Sequence, residues 1–174
     1  MSQSSCQFIY FRVKPSVRPE DPSSEEGQAL LNVFRTAKHQ SGHQSSAWGR
    51  TSEDPDLIVW VMANQTDWSD ARSSTDQGLQ DPFLAEDNSQ LPTSIYVTLS
   101  PPITATETLT QNPVTELCTL PYANLISFRT AQMESMPQVT GPVSWAMGQL
   151  DRPCKLNHAL SPSGKATVHF LAVG

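Results

Sequence analysis

No stretch of this chain approaches the roughly 20 consecutive apolar residues that a bilayer-spanning helix needs, so no membrane-embedded segment is expected. Met1 to Gln7 is polar and runs straight into a short apolar segment, which is not the pattern of a secretory signal. Positive charge is scarce and scattered: 11 Lys and Arg stand against 17 Asp and Glu, for a net charge of -6, and no basic run occurs. Nucleic acid and anionic membrane are therefore not expected partners, because both require a concentrated positive face to displace counterions. Cysteine is sparse too. Cys6, Cys118 and Cys154 are an odd number at wide spacing, with no C-x-x-C pair and no His at ligand spacing. That pattern predicts free thiols in a reducing, cytoplasmic setting. Also missing are a G-x-S-x-G elbow, a glycine-rich phosphate loop and an H-x-x-x-H pair with a carboxylate to complete it. Serine-hydrolase, nucleotide and zinc chemistry lose their usual residues, and no metal or other cofactor is expected.

What is present is a set of periodic segments separated by proline-rich breaks. Phe8 to Val13 is aromatic and β-branched and stops at Pro15, as a strand does. After a polar loop from Ser16 to Ser24, Leu30, Leu31, Val33, Phe34 and Ala37 follow helical spacing. Ser23 or Ser24 is placed to cap that helix, Glu25 and Glu26 suit the positive end of its dipole, and Gly42 ends it. Ser45 to Thr51 reads as a second strand, Glu53 to Asp56 as a turn, and Leu57 to Ala63 as a third strand buried on both faces. Thr66 to Ala71 could open a second helix, the region 73–92 reads as a polar linker, and Ser94 to Leu99 reads as a fourth strand.

The second half then restates the first. Phe34-Arg-Thr-Ala37 recurs as Phe128-Arg-Thr-Ala131. Gly42-x-x-Ser45-x-Ala47-x-Gly49 recurs as Gly141-x-x-Ser144-x-Ala146-x-Gly148, and Ile58 to Met62 has its counterpart in Val168 to Ala172. Three matches in the same order predict a duplicated strand–helix–strand–strand unit, one α+β domain over 1–174 with repeats at about 7–100 and 113–174. Within each second strand, small residues (Ser45, Ala47, Gly49; Ser144, Ala146, Gly148) alternate with large ones. The small stripe predicts close approach of another backbone or a helix, and the large stripe is expected to fill or line a cavity.

The Phe34-Arg-Thr-Ala37 helix, the strand Ala47-Trp-Gly-Arg-Thr-Ser-Glu-Asp-Pro55, and Leu57-Ile-Val-Trp-Val followed by Asp67-Trp68 together resemble one known group. It is the fungal antibiotic biosynthesis monooxygenase-like (ABM-like) proteins of the dimeric α/β barrel superfamily. The resemblance covers most of the chain and implies a ferredoxin-like fold, here a duplicated βαββ unit forming a dimeric α/β barrel-type domain. It also implies a cofactor-independent enzyme of secondary metabolism that acts on a small hydrophobic, oxygenated molecule by cyclisation, isomerisation or oxygenation. A non-catalytic ligand-binding or assembly protein that retains the fold is the alternative.

Such a pocket needs a proton carrier near neutral pH and apolar or aromatic walls. His43, at the start of the second strand, and His169, in the last, are the candidate catalytic residues. His39 and His43 flank Gly42 at i and i+4 but lack a carboxylate partner for a metal, and His158 lies in an inserted loop. Trp48, Trp60 and Trp145 are large enough to wall a pocket, Tyr10 could donate to a substrate oxygen, and Arg35 could hold an anion. Each has a plainer reading: tryptophans in strands are usually core, and the recurrence of Arg35 as Arg129 favours a repeated structural bond. The sequence ends at the third strand of the second repeat, so backbone near Phe170 to Val173 is expected to lack a partner, and a twofold homodimer is expected to cover it.

Overall fold

The computed structural model describes residues 4–39, 42–64, 83–85, 93–100, 102, 114–120, 144–150 and 167–173. The chain divides into two compact units, one of Gln7–Ser94 and one of Met1–Cys6 with Ile95–Gly174.

The first unit contains β1 (Ser4–Arg12) from Gln7 onward, α1 (Glu25–Ala37), β2 (His43–Arg50), β3 (Leu57–Asn64) and the first residues of β4 (Thr93–Ser100). It is α+β: one helix with an antiparallel sheet in the order β2-β3-β1-β4. The expected Thr66–Ala71 helix lies outside the described residues. Among those described, no helix is long and apolar enough to cross a membrane.

Helix α1 forms where its spacing predicts. Gly27, Leu30, Phe34 and Ala37 make the buried stripe, recurring every three or four residues so that one face meets the sheet. Of the two candidate caps it is Ser24 that acts, its Oγ accepting from the Gly27 N–H at 3.0 Å. The same hydroxyl donates to the Ser16 carbonyl and accepts from the Arg18 N–H, which fixes the loop to the helix start. The helix stops at Ala37, with Lys38 as its C-cap, several residues before Gly42. Gly42, at φ 80°, instead turns the chain into β2.

β1 is buried on both faces, with Cys6, Ile9 and Phe11 at 0% exposure and Phe8 at 1%. In β3, Ile58 and Trp60 to Ala63 are buried, whereas Leu57 and Val59 are only half-buried, so its first residues are less enclosed than expected. β2 and β3 pair antiparallel from Arg50 against Ile58 to Ser45 against Ala63, and the register slips between Ser45 and His43. The loop before α1 is not wholly polar in its setting, because Val17 is fully buried within it. Part of the predicted linker is likewise tied down: Leu84 bridges Val13, and the backbone exchanges Lys14 N–H to Phe83 O and Ala85 N–H to Arg12 O.

The second unit contains the rest of β4 with β5 (Val114–Leu120), β6 (Ser144–Leu150) and β7 (Thr167–Val173), in the order β4-β6-β7-β5. β5 lies at the start of the expected second repeat, 113–174, although no particular segment was singled out for its first strand. Its presence corrects one expectation directly. β7 pairs along its length with β6 on one side and β5 on the other, so Phe170 to Val173 are flanked by chain and are not an open edge. The Phe128–Ala131 segment lies outside the described residues.

The small-residue stripes behave differently in the two units. A Cβ on Gly148 would come within 2.0 Å of the Thr98 carbonyl oxygen, so β4 and β6 approach as closely as a missing side chain allows. Gly49 is exposed, and a Cβ there meets nothing within 4 Å, so no close approach occurs at that position. Gly27 is the position in the first unit where absence of a side chain matters, because a Cβ would sit 2.1 Å from the Arg18 carbonyl oxygen. Gly27→Ala should therefore destabilise the protein by about 1–3 kcal/mol despite alanine's better helix propensity. Gly49→Ala should stay within about 0.5 kcal/mol of the parent. Urea denaturation of the two variants checks this, and equal effects would contradict the assigned packing.

Candidate functional site

The aromatic residues come together beneath α1. Phe34 lies 4.6 Å from Trp60, 5.9 Å from Trp48 and 6.4 Å from Phe11, centroid to centroid. Trp48 and Trp60 are direct cross-strand partners, so their side chains share the sheet face that the helix covers. Trp60 is 1% exposed and belongs to the core; Trp48 is half-buried at its margin.

The other candidates are not brought to that cluster. Phe11 faces α1, so Tyr10, its neighbour in an alternating strand, belongs to the opposite face of the sheet. Arg35 is exposed on the helix and donates from Nη1 to Asn32 Oδ1 at 2.7 Å, a bond within its own helix. His39 is exposed just past the helix end. Trp145 and His169 are described as strand positions only: Trp145 opposes Leu171, and His169 in β7 lies between Met147 of β6 and Cys118 of β5. Arg129 and His158 lie outside the described residues.

His43 occupies the first position of β2, opposite Asn64 of β3 and just before the register slip. Its imidazole is half-buried, and Nε2 is enclosed without a hydrogen-bond partner among the described residues. Burial is the larger cause that pulls its pKa below the ordinary 6.5, and the charge of Lys38 at the helix end adds to it. Both effects favour the neutral ring, in which one of the two nitrogens is a donor and the other an acceptor. Tyr10 is far away. Val13 N–H donates to Asp56 O, so the end of β1 lies beside the start of β3, and the levels of Tyr10 and His43 differ by about 17 Å along the strands.

The opposite end of β2 carries a polar hub that composition and spacing did not single out as a site. Arg50 donates from Nη2 to the Val17 carbonyl at 2.8 Å, from Nη1 to the Pro55 carbonyl, and from Nε to both Glu20 carboxylate oxygens at 3.2 and 3.3 Å. Nearby, Arg12 pairs with Asp54, whose backbone and side chain also organise the turn between Thr51 and Leu57. In the loop before α1, the Ser23 hydroxyl and then its backbone N–H hold the Asp21 carboxyl below its usual range. The only signal for Arg50 was its place in the large-residue stripe. Its partners are about thirty residues away in the chain, beyond what local periodicity can register. Among the described residues, no group of three or more His, Cys, Asp and Glu is gathered as a metal site would require.

Comparison of the chain with protein-family models, with curated proteins and with solved structures finds no match. Among the described residues, His43 has a buried side-chain nitrogen without a hydrogen-bond partner. The imidazole of His43 should titrate below 6.5 by NMR, and it should gain its proton at the ordinary value once the protein is unfolded. Because the unfolded chain takes the proton first, this group's contribution to stability is full above about pH 6.5 and falls as pH drops through the folded-state value. A titration midpoint at or above 6.5 in the folded protein would contradict the described environment.

Proposed function

We propose that the chain is a small cofactor-independent enzyme of secondary metabolism. It takes a hydrophobic, oxygenated molecule of polyketide or terpenoid type and cyclises, isomerises or oxygenates it by moving a proton. The observation that carries this reading is His43. A half-buried imidazole that is neutral near pH 7, with Nε2 enclosed and unpartnered, is suited to receive a proton from an acidic C–H or O–H. Trp48, half-buried at the edge of the aromatic cluster, is the candidate for contact with an apolar ring.

The proposed architecture is the duplicated ferredoxin-like unit of a dimeric α/β barrel-type domain. The order β2-β3-β1-β4 in the first unit is that of the split β-α-β plan, and β6-β7-β5 in the second repeats β2-β3-β1. Strand pairing refines the match. Gly49 opposes Val59 and Gly148 opposes Val168, so with Gly148 equivalent to Gly49, His169 corresponds to Trp60. The sequence match had set Phe170 against Trp60, one residue away, and one residue exchanges the faces of a strand. In this reading His169 and Trp60 are equivalent register positions of the two repeats.

The alternative, a ligand-binding or assembly protein without catalysis, is favoured by the separation of the candidates: Tyr10 and Arg35 share neither face nor cluster with Trp48 and Trp60. Incubation with a panel of hydroxylated aromatic and oxygenated polycyclic compounds, without added metal, nucleotide or flavin, distinguishes the two. Conversion of at least one compound, detected by mass spectrometry and lowered about 10²–10⁴-fold in His43→Gln, is the expected outcome. Conversion that is unimpaired in the variant removes His43 from the mechanism. Binding by calorimetry without conversion supports the alternative.

A homodimer remains part of the proposal, with a changed basis. Since β7 is paired on both sides, β5 is the strand that ends the order in the second unit among the described residues, and it is the edge proposed to meet a second copy. Sedimentation at micromolar concentration should give twice the chain mass of 19.1 kDa. A single species at the chain mass rejects dimerisation.

A further inference from the structure

The two ends of β2 are held in opposite ways. At its C-terminal end, Arg50 ties the strand to the Val17 carbonyl, the Glu20 carboxylate and the Pro55 carbonyl, and the turn to β3 is closed by Thr51 N–H to Leu57 O and Leu57 N–H to Asp54 O. At its N-terminal end the ladder to β3 slips between His43 and Ser45, and the chain enters through Gly42 at φ 80°. There the enclosed His43 Nε2 has no acceptor or donor among the described residues, and Lys38 is the charged group among them whose field reaches it. No carboxylate of the described residues acts on the ring.

We propose that the first rung of β2, His43 against Asn64, is an acid-released latch. Protonating the ring makes both of its nitrogens donors, so that the enclosed Nε2 carries an N–H with no acceptor among the described residues, and it places a positive charge beside Lys38. The cheapest relief is to bring the ring into water, where its charge is solvated. The register slip lets that rung leave without disturbing the rungs from Ser45 to Arg50, and Arg50 keeps the far end in place. As pH falls below about 6.5 the opened form takes the proton more readily than the closed form, so opening increases until the closed form is protonated too. This latch does not depend on whether His43 is catalytic.

Hydrogen exchange of the intact chain, followed by mass spectrometry at about pH 7.5 and about pH 5 and corrected for intrinsic exchange, tests it. The opening constant of the Gly42–Ser46 amides should rise on acidification, by up to about tenfold for each unit by which the closed-state pKa is depressed. The Arg50–Leu57 amides should not change. In His43→Gln, and in His43→Phe, which removes the unpartnered nitrogen, the rise should be absent. An opening constant that is the same at both pH values in the native chain overturns the latch. So does a rise shared by Arg50–Leu57, which would be global loosening, or a rise that persists in a His43 variant. The native-chain comparison decides even where a variant does not fold.

Discussion

The contact between Phe34 and Trp60 is the constraint around which the first unit is organised. At 4.6 Å between ring centroids it brings the C-terminal half of the buried stripe of α1 against the middle of β3, and Phe11 and Trp48 complete the cluster from β1 and β2. An aromatic side chain of this size removes about 150–250 Å² from water, so one such residue on the buried helix face helps set how the helix lies over three strands. The polar contacts of Ser24 and Arg50 lie at the helix start and the sheet end. The helix start is held by Ser24 and by the close passage of Arg18 over Gly27, and the sheet end by Arg50.

That arrangement gives β2 an asymmetry. Arg50 has each of its guanidinium nitrogens engaged, and one of its targets is a carboxylate, so the bond set is charge-assisted and sterically defined. His43, at the other end of the same strand, has an enclosed nitrogen with no hydrogen-bond partner among the described residues. A buried polar group without a partner is costly, and where one persists it marks a place with a task or a place that yields first. The proton-transfer proposal takes the first view and the latch the second. They are compatible, since a base that opens to water when protonated can exchange its proton there.

The candidate residues illustrate how composition can suggest a site that geometry disperses. Tryptophan, tyrosine, arginine and histidine are the residues a pocket would use, and also the residues a small α+β unit uses to fill its core, decorate its helix and end its strands. Trp60 is core, Arg35 bonds a neighbour on its own helix, and Tyr10 is on the sheet face away from Trp60. What distinguishes His43 from these is that its own neighbours leave one of its atoms unused.

The sequence by itself determined the local elements. The spacing of Leu30, Phe34 and Ala37, a capping serine at 23 or 24, and the β-branched runs at Phe8, Leu57 and Ser94 each dictate a helix or a strand, because a period of 3.6 or 2 is a property of neighbouring residues. The separation of Trp48 and Trp60 by a turn around Pro55 likewise made β2 and β3 partners, since a short connection leaves adjacent antiparallel strands little else to do. Only the tertiary structure decided the rest: the slip at His43, the reach of Arg50 to Val17, and the insertion of β7 between β6 and β5. These depend on which distant backbones meet. That choice is made by the closing of loops and the matching of whole faces, and no window of consecutive residues contains it.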